Sequence, residues 1–118
     1  MKTLVLSLGL SLAAGSAFAN YVPVTDEAAF LQLVDGRELR HRFYPITLNV
    51  LDNGQVVGRA VGWDVEGTWS WQDGYFCREL VWGGDPIPYN CQLVEINNDV
   101  IRFTVDQGAG QAAAFRLR

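Results

Sequence analysis

Asp64-Val65-Glu66-Gly67-Thr68-Trp69-Ser70-Trp71-Gln72 alternates polar side chains with apolar or small ones, then stops at the turn pair Asp73-Gly74. A period of two is the signature of a strand with one buried and one solvated face. Val65, Gly67, Trp69 and Trp71 therefore share the inward face. The same reading extends both ways along the chain. Residues 75–82 form the return strand. Upstream, Ile46, Leu48 and Val50 make an inward face, and Asp52-Asn53-Gly54 is a hairpin signal leading into a strand over 55–61. Residues 37–43 also alternate, with Leu39, His41 and Phe43 against Arg40 and Arg42. Downstream, Gly83-Gly84-Asp85-Pro86-Ile87-Pro88 is expected as a breaker-rich loop. Strands over 89–96, 100–106 and 111–118 follow, with turns at 97–99 and 107–110.

Only one segment departs from this period. Thr25-Asp26-Glu27 offers an N-cap with acidic residues in the first turn. Ala29, Phe30, Leu33 and Val34 recur at helical spacing, and Asp35-Gly36 is a stop signal, so a helix is expected over 26–34. The fold class is all-β with one short N-terminal helix and about eight antiparallel strands in a meander. Such a meander hides its edges by closing into a small calycin-like barrel or by folding into a two-sheet sandwich. The sequence leaves both open.

Residues 1–19 have a different character. Met1-Lys2 is a short positive start, residues 4–14 are largely apolar, and Ala17-Phe18-Ala19 puts small residues at −3 and −1 of a cut before Asn20. That is the layout of a secretory signal peptide, shorter than the roughly 20 apolar residues a spanning helix needs. The expected domains are a cleaved signal peptide, 1–19, and a single β-barrel-like domain, 20–118. A periplasmic or secreted location without stable membrane insertion follows, and no Cys stands after the cut to carry a lipid anchor. Cleavage leaves 118 − 19 = 99 residues, enough for one domain. Eight Arg and no Lys against thirteen carboxylates give the mature chain a formal charge of 8 − 13 = −5. No basic patch is visible along the sequence, so nucleic acid is not an expected partner.

Cys77 and Cys91 are the only cysteines. In an oxidising compartment a small even count favours a structural disulfide. A zinc site wants four ligands, whereas His41 is the sole histidine, and thirteen intervening residues make no redox C-x-x-C pair. The two cysteines are expected opposite each other on neighbouring strands, within the roughly 4.4–6.8 Å Cα separation that a bridge permits.

Four Trp and four Tyr are many for this length. Trp69 and Trp71 read as core, while Trp63, Trp82 and Tyr89 flank turns and are candidate pocket aromatics. Gly108-Ala109-Gly110-Gln111-Ala112-Ala113 fits the loose form of a dinucleotide fingerprint. Only five residues follow it, too few for the helix and second strand the fingerprint needs. His41 lacks a nucleophile context and reads as a strand residue. Asp64 and Glu66 share a face, which suits acid–base work but also a plain solvated surface, and Arg116 and Arg118 are expected on a polar surface of that kind. No catalytic residue, metal site or cofactor is assigned.

Gly67-Thr68-Trp69 resembles the G-x-W of lipocalin-like and avidin-like barrels. The longer string Gly67-Thr68-Trp69-Ser70-Trp71-Gln72-Asp73-Gly74-Tyr75-Phe76-Cys77-Arg78, with the Trp-Gly-Gly loop, the second Cys and the terminal Arg-Phe-Thr … Gly-Ala-Gly stretch, is similar to small secreted alphaproteobacterial proteins. Some of these carry the name dihydrodipicolinate reductase. That name implies a Rossmann domain and a nicotinamide cofactor, and this chain has neither the length nor the βαβ order for them. The leading functional expectation is an exported, non-enzymatic barrel that binds a small molecule or a partner protein. The alternatives are an enzyme, as the relatives' name implies, and a structural or protease-inhibitor-like envelope protein.

Overall fold

The computed structural model describes residues 20–118; the expected signal peptide lies outside the described residues. The chain forms β1 (Val22–Val24), α1 (Glu27–Val34), β2 (Leu39–His41), β3 (Ile46–Val50), β4 (Gln55–Ala60), β5 (Trp63–Gln72), β6 (Tyr75–Trp82), β7 (Asp85–Asn97), β8 (Val100–Thr104) and β9 (Ala112–Leu117). Every pairing is antiparallel. Strands β2 to β7 follow one another around the sheet, β8 pairs with β7, and β9 lies between β8 and β2. The eight strands β2–β9 thus close into a barrel, which leaves only the first part of β7 as a free edge.

Tight turns drive the meander. Val61-Gly62, Asp73-Gly74 and Gly83-Gly84 all have positive φ at both residues, the conformation that matches the twist of a two-residue hairpin. In an up-and-down barrel alternate connections share an end. The β2–β3, β4–β5, β6–β7 and β8–β9 links therefore lie at one end, and the β3–β4, β5–β6 and β7–β8 links at the other. Helix α1 plugs this second end. Asp26 caps it by accepting the Ala29 N–H at 3.3 Å, and Phe30 and Val34 are fully buried. Phe30 packs against Trp69, Trp71 and Phe76, with ring centroids 5.5, 5.0 and 5.2 Å away. Trp69 also donates its indole N–H to the Leu51 carbonyl at 2.7 Å, which satisfies its polar atom inside the core.

Three elements differ from the sequence-based expectation. Strand β1 was not foreseen, because Val-Pro-Val is short and contains a proline. It pairs with Val94–Ile96 of β7, beyond the stretch that β6 covers. Strand β2 is confined to three residues, with Arg42 to Pro45 in the following loop. Strand β7 starts at Asp85 rather than 89, so Pro86 and Pro88 lie within it. The register between β6 and β7 shifts between Arg78 and Leu80, placing a bulge where Pro88 stands. Residues 85–92 pair with β6 alone, so their other side is open and the prolines leave no ladder bond broken there.

Cys77 and Cys91 form a disulfide as a directly opposed cross-strand pair. Their Cα atoms are 3.9 Å apart, closer than the expected range and nearer the roughly 4.5 Å of the narrow antiparallel pair. The bridge places the folded protein in a non-reducing compartment. It closes a loop around the bulged, proline-bearing part of β7. Replacing both cysteines with serine is expected to cost about 2–4 kcal/mol. Thermal melting checks this, at about 4–8 °C per kcal/mol for a domain of this size. An unchanged midpoint would show that the bridge stabilises nothing.

Candidate functional site

The barrel interior is not completely filled. Leu39, Leu48, Val50, Val56, Phe76, Leu80, Phe103, Ala113 and Phe115 project from six strands around a cavity of about 310 Å³. Val105 and Gln111 from the β8–β9 connection and Ala112 at the start of β9 also contribute, so the space approaches the end opposite α1. That volume falls at the lower end of small-molecule sites, which are apolar with a few convergent polar groups.

The polar groups here are Arg78, Gln92 and Gln111. Strand periodicity explains the first. Phe76, Arg78 and Leu80 share one face of β6, so the guanidinium points into the barrel with the two apolar side chains. It donates through Nη1 to the Pro88 carbonyl, at the bulge, at 2.7 Å. Among the described residues no carboxylate forms an ion pair with it. Burial lowers the Arg78 pKa, because desolvation penalises the charged form, but guanidinium stays protonated in proteins. The cavity wall therefore carries a desolvated cation with one neutral partner and several free N–H donors. Arg78 is half-buried, and Gln92, on β7, is buried.

Comparison with protein families, curated proteins and solved structures finds no match to this chain. What the site can do must be read from its own residues.

The sequence-derived candidates lie elsewhere. Trp63, Trp82 and Tyr89 are 61%, 38% and 52% exposed, and none lines the cavity. Trp82 donates its indole N–H to the Ala60 carbonyl at 2.8 Å, and Gly83 lies against the Trp63 side chain, so these two tryptophans sit together at the hairpin end of the barrel. Trp69 is core and Trp71 packs against it. His41 Nδ1 accepts the backbone N–H groups of Phe43 and Tyr44 at 3.1 and 3.3 Å, organising the β2–β3 loop. Asp64 is held by Arg59 in an exposed ion pair of 2.7 Å, and Glu66 is exposed on the same face. The G-x-G-x-x-A stretch begins at the last residue of a short 3-10 turn, Asp106–Gly108, and runs into the start of β9. Among the described residues no cluster of His, Cys, Asp and Glu could hold a metal, and no helix is long and apolar enough to cross a membrane.

Arg78 is not among the sequence-derived candidates, which are mostly aromatic. The signal was present: extending the inward set of the strand from Phe76 by two residues puts an arginine where an apolar residue is expected. The grouping of Arg40, Arg42, Arg116 and Arg118, which line one outer recess, was not expected either. No basic run exists in the sequence, but pairing β2 with β9 assembles a basic patch.

Proposed function

We propose that this protein is an exported binding module for a small apolar acid, with the apolar body inside the barrel and the acidic head on Arg78. The observation that carries the reading is the inward-facing Arg78 guanidinium, which has no carboxylate partner beside an apolar space. A partly desolvated cation without a counter-charge carries a penalty, and a ligand carboxylate would complete it through bidentate, charge-assisted hydrogen bonds. Gln92 and Gln111 supply further polar contacts at the head end. The reading supports binding rather than turnover, because among the described residues the cavity lining holds no nucleophile–base pair. Residues 1–19 support delivery across the inner membrane, and the disulfide suits the compartment beyond it.

The test compares octanoate with octanol by calorimetry on the disulfide-bonded protein. Octanoate is expected to bind saturably and octanol far more weakly. Arg78→Met keeps the apolar stem and should weaken octanoate by about 10- to 100-fold, the worth of a charge-assisted hydrogen bond, without a loss in melting temperature. Equal affinity for acid and alcohol would remove Arg78 from the account. Saturable NADPH binding would favour the reductase reading instead.

A further inference from the structure

The outer face of β2 and β9 concentrates positive charge on a chain that is acidic overall. Arg40 stands directly opposite Arg116. Arg42 and Arg118 follow directly on the ends of the two strands, and all four arginines line one recess of about 380 Å³. The flanking strands offer nothing acidic in that row: Thr47 of β3 is opposite Arg40, and Val100 of β8 is opposite Arg116. Glu38 pairs with Arg40. Among the described residues no carboxylate forms an ion pair with Arg42, Arg116 or Arg118. The Arg116 Nε is buried and has no hydrogen-bond partner.

Like charges directly opposite on neighbouring strands are destabilising, and a buried guanidinium N–H without an acceptor adds to the penalty. Four guanidinium groups around this pair of strands, with one carboxylate among them, lack an anion. Forked guanidinium donors fit the oxygens of phosphate. One phosphate group carries a charge of only about −1.5 to −2, less than the three arginines left without a carboxylate. We propose that the β2–β9 wall binds a phosphate-class oxyanion with two linked or neighbouring phosphate groups, either a soluble diphosphate or the headgroups of an anionic lipid surface. The site is separate from the barrel cavity and does not depend on what the cavity holds.

Calorimetry with sodium pyrophosphate at two salt concentrations tests it. Saturable binding that weakens with salt is expected. Arg40→Gln combined with Arg116→Gln should lower affinity by about tenfold for each guanidinium removed. Without ligand, that double variant should melt no lower than wild type, since a repulsive pair has been removed. Arg42→Gln with Arg118→Gln is the second variant, should the first fold poorly. Vesicles containing phosphatidylglycerol distinguish the source. Capture that pyrophosphate displaces assigns a lipid headgroup, and pyrophosphate binding without vesicle capture assigns a soluble ligand. Arg78→Met should leave all of this unchanged, which separates the site from the cavity. Absence of saturable binding to both probes, unchanged affinity in both double variants, or tighter binding of a single-stranded oligonucleotide than of pyrophosphate would overturn the proposal.

Discussion

Gly67→Ala is expected to destabilise the barrel by about 3 kcal/mol or more, although it adds a single methyl group. A Cβ at Gly67 would lie 2.0 Å from the Glu79 carbonyl oxygen and 2.8 Å from the Leu80 Cα. Both are backbone atoms of β6, so no side-chain rotation relieves the clash. Gly58 on β4 meets Leu48 of β3 in the same way, with a Cβ 2.2 Å from the Thr47 carbonyl oxygen. These two glycines sit where neighbouring strands fold sharply inward, a corner at which closure of a small barrel leaves no room for a side chain. Urea or thermal unfolding checks the prediction. At about 4–8 °C per kcal/mol, the midpoint should fall by more than about 12 °C. Ser70→Ala, on an exposed position of the same strand, should stay within about 0.5 kcal/mol of wild type. A Gly67→Ala protein that melts close to wild type would mean the strands can separate at the corner without cost.

Phe30→Ala carries the other large effect, at about 3–5 kcal/mol. Phe30 has no exposed surface and joins the helix to the barrel through Trp69, Trp71, Phe76 and Phe103. Truncation removes one aromatic ring from the centre of that cluster, and the closed barrel around it has little freedom to collapse. Phe76 and Phe103 also line the 310 Å³ cavity, so the new void adjoins the existing one. The variant should therefore both melt lower and bind larger apolar ligands. Calorimetry with dodecanoate against octanoate reads the second effect. A shift in preference towards the longer acid is expected, and a variant that melts lower with unchanged chain-length preference would show that the helix side of the cavity had collapsed.

Much of this fold is legible in the chain because barrel strands are local in sequence. The period of two in residues 64–72 and the Asp73-Gly74 turn act within a few residues, and the structure places β5 at 63–72 with Val65 and Trp69 buried. The helix was similarly readable from Asp26 and the spacing of Phe30 and Val34. Pro86 and Pro88 misled the start of β7, because a proline is judged by the hydrogen bond it lacks, and whether a neighbour needs that bond depends on which strand lies alongside. The aromatic candidates depend on the closed barrel in a related way. Trp63 and Trp82 follow the inward alternation of β5 and β6 but stand at the strand ends, and only the closed barrel shows that they lie outside the cavity lining.

The sequence by itself determined the eight barrel strands, the capped helix, most inward faces and the one possible disulfide, since each depends on short-range periodicity or on having only two cysteines. Barrel closure was decided by tertiary structure. It needs β9, at the end of the chain, to reach β2, more than 70 residues earlier, and no local pattern encodes that pairing. The same contact sets Arg40 against Arg116. Residues far apart in the chain become a dense positive surface because register places them opposite each other, and a one-residue slip would have turned Arg116 into the barrel. Arg78 stands between the two cases. Its inward direction follows from alternation in the strand, but its lack of an acidic partner is a property of the seven other strands that surround it.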